Sequence, residues 1–193
     1  DIDWITEHRD VLFSEAVAVL AAWEHPEYWP LLGVLPKTDP FTGSDGTALT
    51  TYDANYVNIA GTFVLAGNAV SSNTGSNCLA AWNGDAFNDN QYASGTMGAL
   101  GTNTYTGVCT RGSGTSGYHT WAQNGDTRFR KTVSGTTTEL GSSATAWAAN
   151  DVMRLESEGS THRTTKNGTA YGASPYTDTA VTGGSAGPGG FGN

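Results

Sequence analysis

Five dipeptides, Asp45-Gly46, Asn83-Gly84, Asn124-Gly125, Ser134-Gly135 and Asn167-Gly168, cut most of this 193-residue chain into short pieces. Gly and Asn tolerate positive φ, so each pair favours a tight reversal of the backbone. The pieces between them are rich in β-formers: Ala48–Tyr52, Tyr56–Ile59, Thr62–Leu65, Cys78–Trp82, Gln91–Met97, Tyr105–Thr110, Tyr118–Gln123, Thr127–Val133, Thr137–Leu140, Val152–Glu158, His162–Lys166 and Ala180–Thr182. Reversals every 8–12 residues or so are the rhythm of an antiparallel sandwich or jelly roll. The clearest stretch runs from Asn90 to Arg111, where Tyr92, Ser94 and Thr96 alternate with Gln91, Ala93, Gly95 and Met97. Past residue 25 there is no Leu/Glu/Lys/Ala block of the kind helical domains need. The expected fold is therefore all-β, a two-sheet antiparallel jelly-roll sandwich over residues 41–193.

Residues 1–40 read differently. Leu12, Phe13, Ala16, Val17, Leu20 and Trp23 recur at spacings of three and four, which predicts an amphipathic helix from Thr6 to Glu24. Pro26 ends it. Pro26, Pro30, Pro36 and Pro40 then favour an extended arm that carries Tyr28, Trp29, Leu31 and Leu32. An arm this apolar is expected to be covered, either by its own domain or by a neighbouring subunit. The anchoring residues would be Leu12, Phe13, Val17, Leu20, Trp23, Tyr28, Trp29, Leu31 and Leu32. Eight acids and two bases fall in these 40 residues, so they hold −6 of the formal net charge of −9.

Duplex nucleic acid needs clustered Lys and Arg, and an acidic chain does not supply them. The one basic run, Arg128-Phe129-Arg130-Lys131, reads as a solvated edge strand, or else as a contact for an acidic glycan or single strand. No apolar run approaches the length that spans a bilayer. Cys78 and Cys109 are either a disulfide or two buried thiols on strands. No zinc-ligand spacing is present. Asp85 and Asp89, with Asn88, form either an ordinary solvated turn or a structural calcium loop.

The order of several motifs resembles the concanavalin A-like (laminin G-like) jelly rolls of bacteriophage particle proteins and secreted bacterial proteins. These are Ser44-Asp45-Gly46-Thr47, Gly61-Thr62-Phe63-Val64-Leu65, Ala80-Ala81-Trp82, Asn90-Gln91-Tyr92-Ala93, Gly107-Val108-Cys109-Thr110-Arg111, Asp151-Val152-Met153-Arg154-Leu155-Glu156 and Lys166-Asn167-Gly168. The resemblance implies two curved sheets, the concave one able to carry a binding groove. It departs from the family at the end, where the Gly-rich segment 183–193 reads as a tail with no closing strand after it. Residues 1–40 have no counterpart in the family pattern.

The role this implies is non-enzymatic: a structural or adhesive surface protein, such as a phage head decoration or appendage subunit. It would be anchored by residues 1–40 to other subunits of a capsid or homo-oligomer, at a virion surface or outside the cell. The alternative is a secreted, lectin-like carbohydrate-binding module. Sugar faces would stack on exposed aromatics, with Tyr92, Arg111, Tyr118 and Trp121 as glycan-binding candidates, while Trp82 and Trp147 are expected in the core or under a loop. A glycosidase needs two carboxyls flanking the scissile bond. Only Glu156-Ser157-Glu158 approaches this, and no catalytic residues are assigned.

Overall fold

Strand β6 (Tyr105–Ser113) and its hairpin partner β7 (Ser116–Gln123) are the centre of the computed structural model, which describes residues 37–73, 77–98, 105–123 and 125–191. They lie within a seven-stranded sheet ordered β1 (Tyr56–Ala60), β4 (Asn77–Trp82), β14 (Ser185–Phe191), β6, β7, β8 (Asp126–Val133), β9 (Thr136–Ser143). A second sheet runs β12 (Thr169–Ala170), β11 (Thr161–Lys166), β10 (Val152–Glu158), β5 (Gln91–Thr96), with β13 (Tyr176–Thr177) also on β11. A small hairpin, β2 (Phe63–Leu65) and β3 (Val70–Ser72), stands apart from both. The pairings within the sheets are antiparallel, and the sandwich is one unit from Pro40 onward.

The turn pairs do what their chemistry favours. Ser134 and Gly135 have φ of 49° and 81°, and Asn167 and Gly168 have 50° and 80°. Two consecutive positive φ values match the twist of the flanking strands in a two-residue hairpin. Alternation then sorts the side chains. Val108, Tyr118 and Phe129 point from the first sheet towards Met153 and Leu155 on the second, with Trp147 and Tyr171 in the same core. Leu49, Tyr56, Phe63, Leu65 and Trp82 make a separate cluster near the β2–β3 hairpin.

Three expectations change. Ala48–Tyr52 holds one helical turn, α1 (Leu49–Tyr52), closed by amide-to-carbonyl bonds from Tyr52 to Ala48 and from Asp53 to Leu49; so short an apolar run does not distinguish a period of 2 from one of 3.6. Ala180–Thr182 is not a strand. The Gly-rich segment, expected as a tail, contains β14, a central strand of the seven-stranded sheet. Its glycines are needed there. A Cβ on Gly187 would stand 2.2 Å from the Ala80 carbonyl oxygen, and one on Gly189 would stand 3.2 Å from Val108 backbone atoms. On the next strands, a Cβ on Gly107 would be 1.9 Å from the Thr120 oxygen. Bare backbone lets these strands approach where the sheet coils.

Strand β14 also decides the cysteines. It lies between β4 and β6, with Cys78 opposite Gly190 and Cys109 opposite Gly187, so the two cysteines are more than two strand spacings apart, beyond roughly 9–10 Å, and a disulfide reaches only about 7 Å between Cα atoms. The disulfide reading is therefore corrected: Cys109 is a free thiol with no exposure, donating to the Ala80 carbonyl at 3.1 Å. Burial pushes its pKa up to about 12.

The substitution Gly187→Ala should lower stability by about 2 kcal/mol or more, because the obstructing atoms are backbone of β4 and cannot rotate away. Urea unfolding followed by tryptophan fluorescence will read this as a lower midpoint at unchanged slope.

Candidate functional site

Of the four glycan-binding candidates, two are framework. Arg111 follows a register shift in β6, at φ 53°, and is 1% exposed. Its guanidinium donates from Nε (2.9 Å) and Nη2 (2.7 Å) to the Asp89 carbonyl, from Nη2 to the Gly159 carbonyl at 2.7 Å, and from Nη1 to the Val181 carbonyl at 3.1 Å. Tyr118 has no exposure; its hydroxyl donates to Asp178 Oδ1 at 2.6 Å and accepts from the Val181 amide. Burial, and then the bond to Asp178, push its pKa up to about 12. Neither side chain has a face to offer a sugar.

Beside them lies a directed chain of buried hydrogen bonds. His162 Nε2 is 3.1 Å from the Asp178 carbonyl, which only accepts, so Nε2 carries the proton. Nδ1 then accepts from Ser157 Oγ at 2.9 Å, and Ser157 accepts from Thr110 at 2.7 Å. Burial lowers the His162 pKa, keeping the ring neutral. Burial also pushes the Asp178 carboxyl up, but bonds from Lys131, Tyr118 and the Ala180 amide outweigh this and hold it below the usual carboxylate range.

The resemblance implies a groove on a concave sheet, and the outer face of the seven-stranded sheet is curved. Asn77 on β4 reaches Thr137 on β9 at 3.0 Å although four strands lie between them, so opposite corners of the sheet curl together. Leu79, Cys109 and His119 on this face have no exposure, and the expected open groove is not found over them. Trp121 is 2% exposed and so is not a stacking platform. Instead the Arg130 guanidinium lies 4.7 Å from its ring centroid. Arg130 Nη2 is 3.3 Å from Glu139 Oε2, which also accepts from Arg128 Nη1 at 2.8 Å, and Arg128 Nε donates to Asp126 at 2.9 Å. These side chains are 21–38% exposed at the rim of the face. The carboxylate bonds raise the Arg128 pKa. Two cations and two anions sum to zero, and Lys131 faces the opposite way to bind Asp178. The basic run is thus neutralised in place, and β8 is an inner strand, with β9 at the edge.

Tyr92, the fourth candidate, is half-buried on β5 with the Arg154 guanidinium 3.8 Å from its ring centroid. Glu156 and Glu158 pair with Arg154 at 2.5 Å and with Arg163 at 2.7 Å. Asp85 accepts from Trp82 Nε1, and Asp89 from the Gly183 amide. Among the described residues no three His, Cys, Asp or Glu side chains gather as a metal site would need, and no helix is long and apolar enough to cross a membrane. An open depression of about 490 Å³ is lined by Thr145, Lys166, Asn167, Thr169 and Tyr171. Two of its polar groups are already used: Lys166 and Asn167 both bind Asp151. The anchor residues Leu12, Phe13, Val17, Leu20, Trp23, Tyr28, Trp29, Leu31 and Leu32 lie outside the described residues.

Strand order, antiparallel pairing and the inter-sheet core define a concanavalin A-like, galectin-like β-sandwich. No family model and no curated protein matches the chain. Among solved structures, the carbohydrate-binding module CBM66 of Bacillus subtilis superposes with a TM-score of 0.55 at 13% identity, over 70% of this chain and 85% of that one. A Bacillus subtilis protein of unknown function with a galectin-like fold gives 0.50 at 10% identity, over 77% and 90%. At such identities the likeness is one of fold.

Two outcomes follow. Arg111→Ala leaves the carbonyls of Asp89, Gly159 and Val181 without the donor that joins them and should cost about 3 kcal/mol, read by urea unfolding. The second concerns His119, whose Nδ1 is buried without a partner and whose Nε2 meets Thr132 Oγ1 at 3.2 Å. Burial and then Arg130 lower its pKa to about 3. Below about pH 6.5 the unfolded chain takes up a proton that the folded one refuses, so stability falls as pH falls towards 3. Between pH 7 and 4.5 the protein should lose about 2–3 kcal/mol more than His119→Gln does, measured by chemical unfolding at both pH values.

Proposed function

We propose that this chain binds a neutral carbohydrate without transforming it, at the rim formed by Asp126, Arg128, Arg130 and Glu139. The observation that carries the reading is the guanidinium of Arg130, held over the Trp121 ring and tied to Glu139, which sets donors and an acceptor in one place. Planar groups held rigid by packing lose little freedom on binding, and paired donors and acceptors suit adjacent sugar hydroxyls. Charge balance across the four side chains favours a neutral ligand over an acidic one. The fold neighbour named as a carbohydrate-binding module supports the same class.

A non-enzymatic role fits the positions of Glu156 and Glu158, each tied to an arginine on the outer surface of a sheet. The structural role of an anchored virion subunit rests on residues 1–40 and gains no support from the fold.

A glycan array with neutral, sialylated and sulfated members, followed by an NMR titration of amide shifts, tests the reading. Neutral oligosaccharides should shift β8 and β9 resonances, with little change between 0.05 and 0.3 M salt (roughly, for a net-neutral site). Glu139→Gln should weaken that response about tenfold at unchanged melting temperature. Retention of acidic glycans alone would overturn it.

A further inference from the structure

The arrangement at Arg130 occurs a second time, on the other sheet. Arg154 lies 3.8 Å from the Tyr92 ring centroid, as Arg130 lies 4.7 Å from that of Trp121. Each uses Nη2 to hold a glutamate: Arg130 takes Glu139 at 3.3 Å and Arg154 takes Glu156 at 2.5 Å. In each, Nε is shielded from water and has no partner. Among the described residues Nη1 of each arginine makes no hydrogen bond to protein, and neither does one oxygen of each glutamate, Oε1 of Glu139 and Oε2 of Glu156. The exposures correspond as well, 21% and 38% against 27% and 32%. The pairing register explains the second triad: Glu156 is directly opposite Tyr92, and Arg154 opposite Ser94, so all three residues lie on the outer face of their sheet.

We propose that Tyr92, Arg154 and Glu156 form a second site for the same class of ligand, a neutral sugar presenting adjacent hydroxyls, which makes this chain bivalent. One hydroxyl accepts from Arg154 Nη1, and its neighbour donates to Glu156 Oε2. A stacked, ion-paired guanidinium is already in the orientation that such a pair of bonds requires. The two triads sit on different sheets and face away from a shared core, so one linear glycan does not reach both. The inference rests on the reading of the first triad as a glycan site.

The test is an NMR titration of the full chain with a panel of neutral di- to tetrasaccharides built from glucose, galactose or mannose. The expected result is two separated groups of shifting amides, one on β8 and β9, the other on β5 and β10. Arg154→Ala should abolish the second group and change the midpoint of the first less than twofold. Arg130→Ala should do the reverse. Should Arg154→Ala fail to fold by circular dichroism, Glu156→Gln serves in its place, with a loss of about tenfold confined to the second group. Shifts on β8 and β9 alone would overturn the second site while sparing the first. The absence of shifts on both faces would overturn both readings.

Discussion

The sandwich depends on one buried cation. Among the described residues Arg111 has no carboxylate ion-pair partner; its charge is held by the carbonyls of Asp89, Gly159 and Val181, which belong to three different connections. A guanidinium removed from water is tolerable only when its donors are satisfied, and this fork meets three loops at once. The backbone takes part too: the Arg111 amide donates to Gln91 Oε1, and Gln91 Nε2 reaches the Asn88 and Gly184 carbonyls. The loops at this end are thus positioned from the inside by one strand of the first sheet.

The second constraint is curvature, and it is set by what is missing. Gly107 on β6 and Gly187 and Gly189 on β14 leave two neighbouring strands without side chains where their backbones close on the strands beside them. The coil that results brings Asn77 to Thr137 and encloses His119, Cys109 and Leu79 on the outer face. What the surface offers to solvent is therefore the rim of the sheet, where Arg128, Arg130 and Glu139 project.

Much of the architecture is legible in the chain because turn chemistry is local. Ser134-Gly135 and Asn167-Gly168 act through their own φ values, and the strands they join stand where the alternation puts them. Strand β14 is illegible for the converse reason: Ser-Ala-Gly-Pro-Gly-Gly-Phe has little β propensity, and only its neighbours on both sides make it a strand. The same strand separates Cys78 from Cys109, a fact of sheet order that spacing along the chain does not contain. Burial of Arg111, Tyr118 and Trp121 is hidden as well. From Gly117 to Ala122 every residue of β7 is buried, so both faces of the strand are covered and alternation gives no sign of which aromatic meets water. The triads were half visible: Tyr92 and Trp121 stand out as aromatics, but their arginines join them only through cross-strand register.

Charge closes the argument. The six cations on β8, β10 and β11, namely Arg128, Arg130, Lys131, Arg154, Arg163 and Lys166, are each within ion-pair distance of a carboxylate. The excess acidity belongs mostly to residues 1–40, which hold −6 of −9. A surface neutralised pair by pair projects little field beyond a Debye length of about 8–10 Å, so it does not steer a charged partner from afar. Recognition on such a surface has to come from hydrogen bonds at contact, and these are strongest where packing has already fixed the donor. Among the described residues, Arg130 on Trp121 and Arg154 on Tyr92 are the two places where a guanidinium over a ring is also tied to a glutamate. That pairing, rather than any exposed aromatic platform, is what this sandwich presents to a sugar.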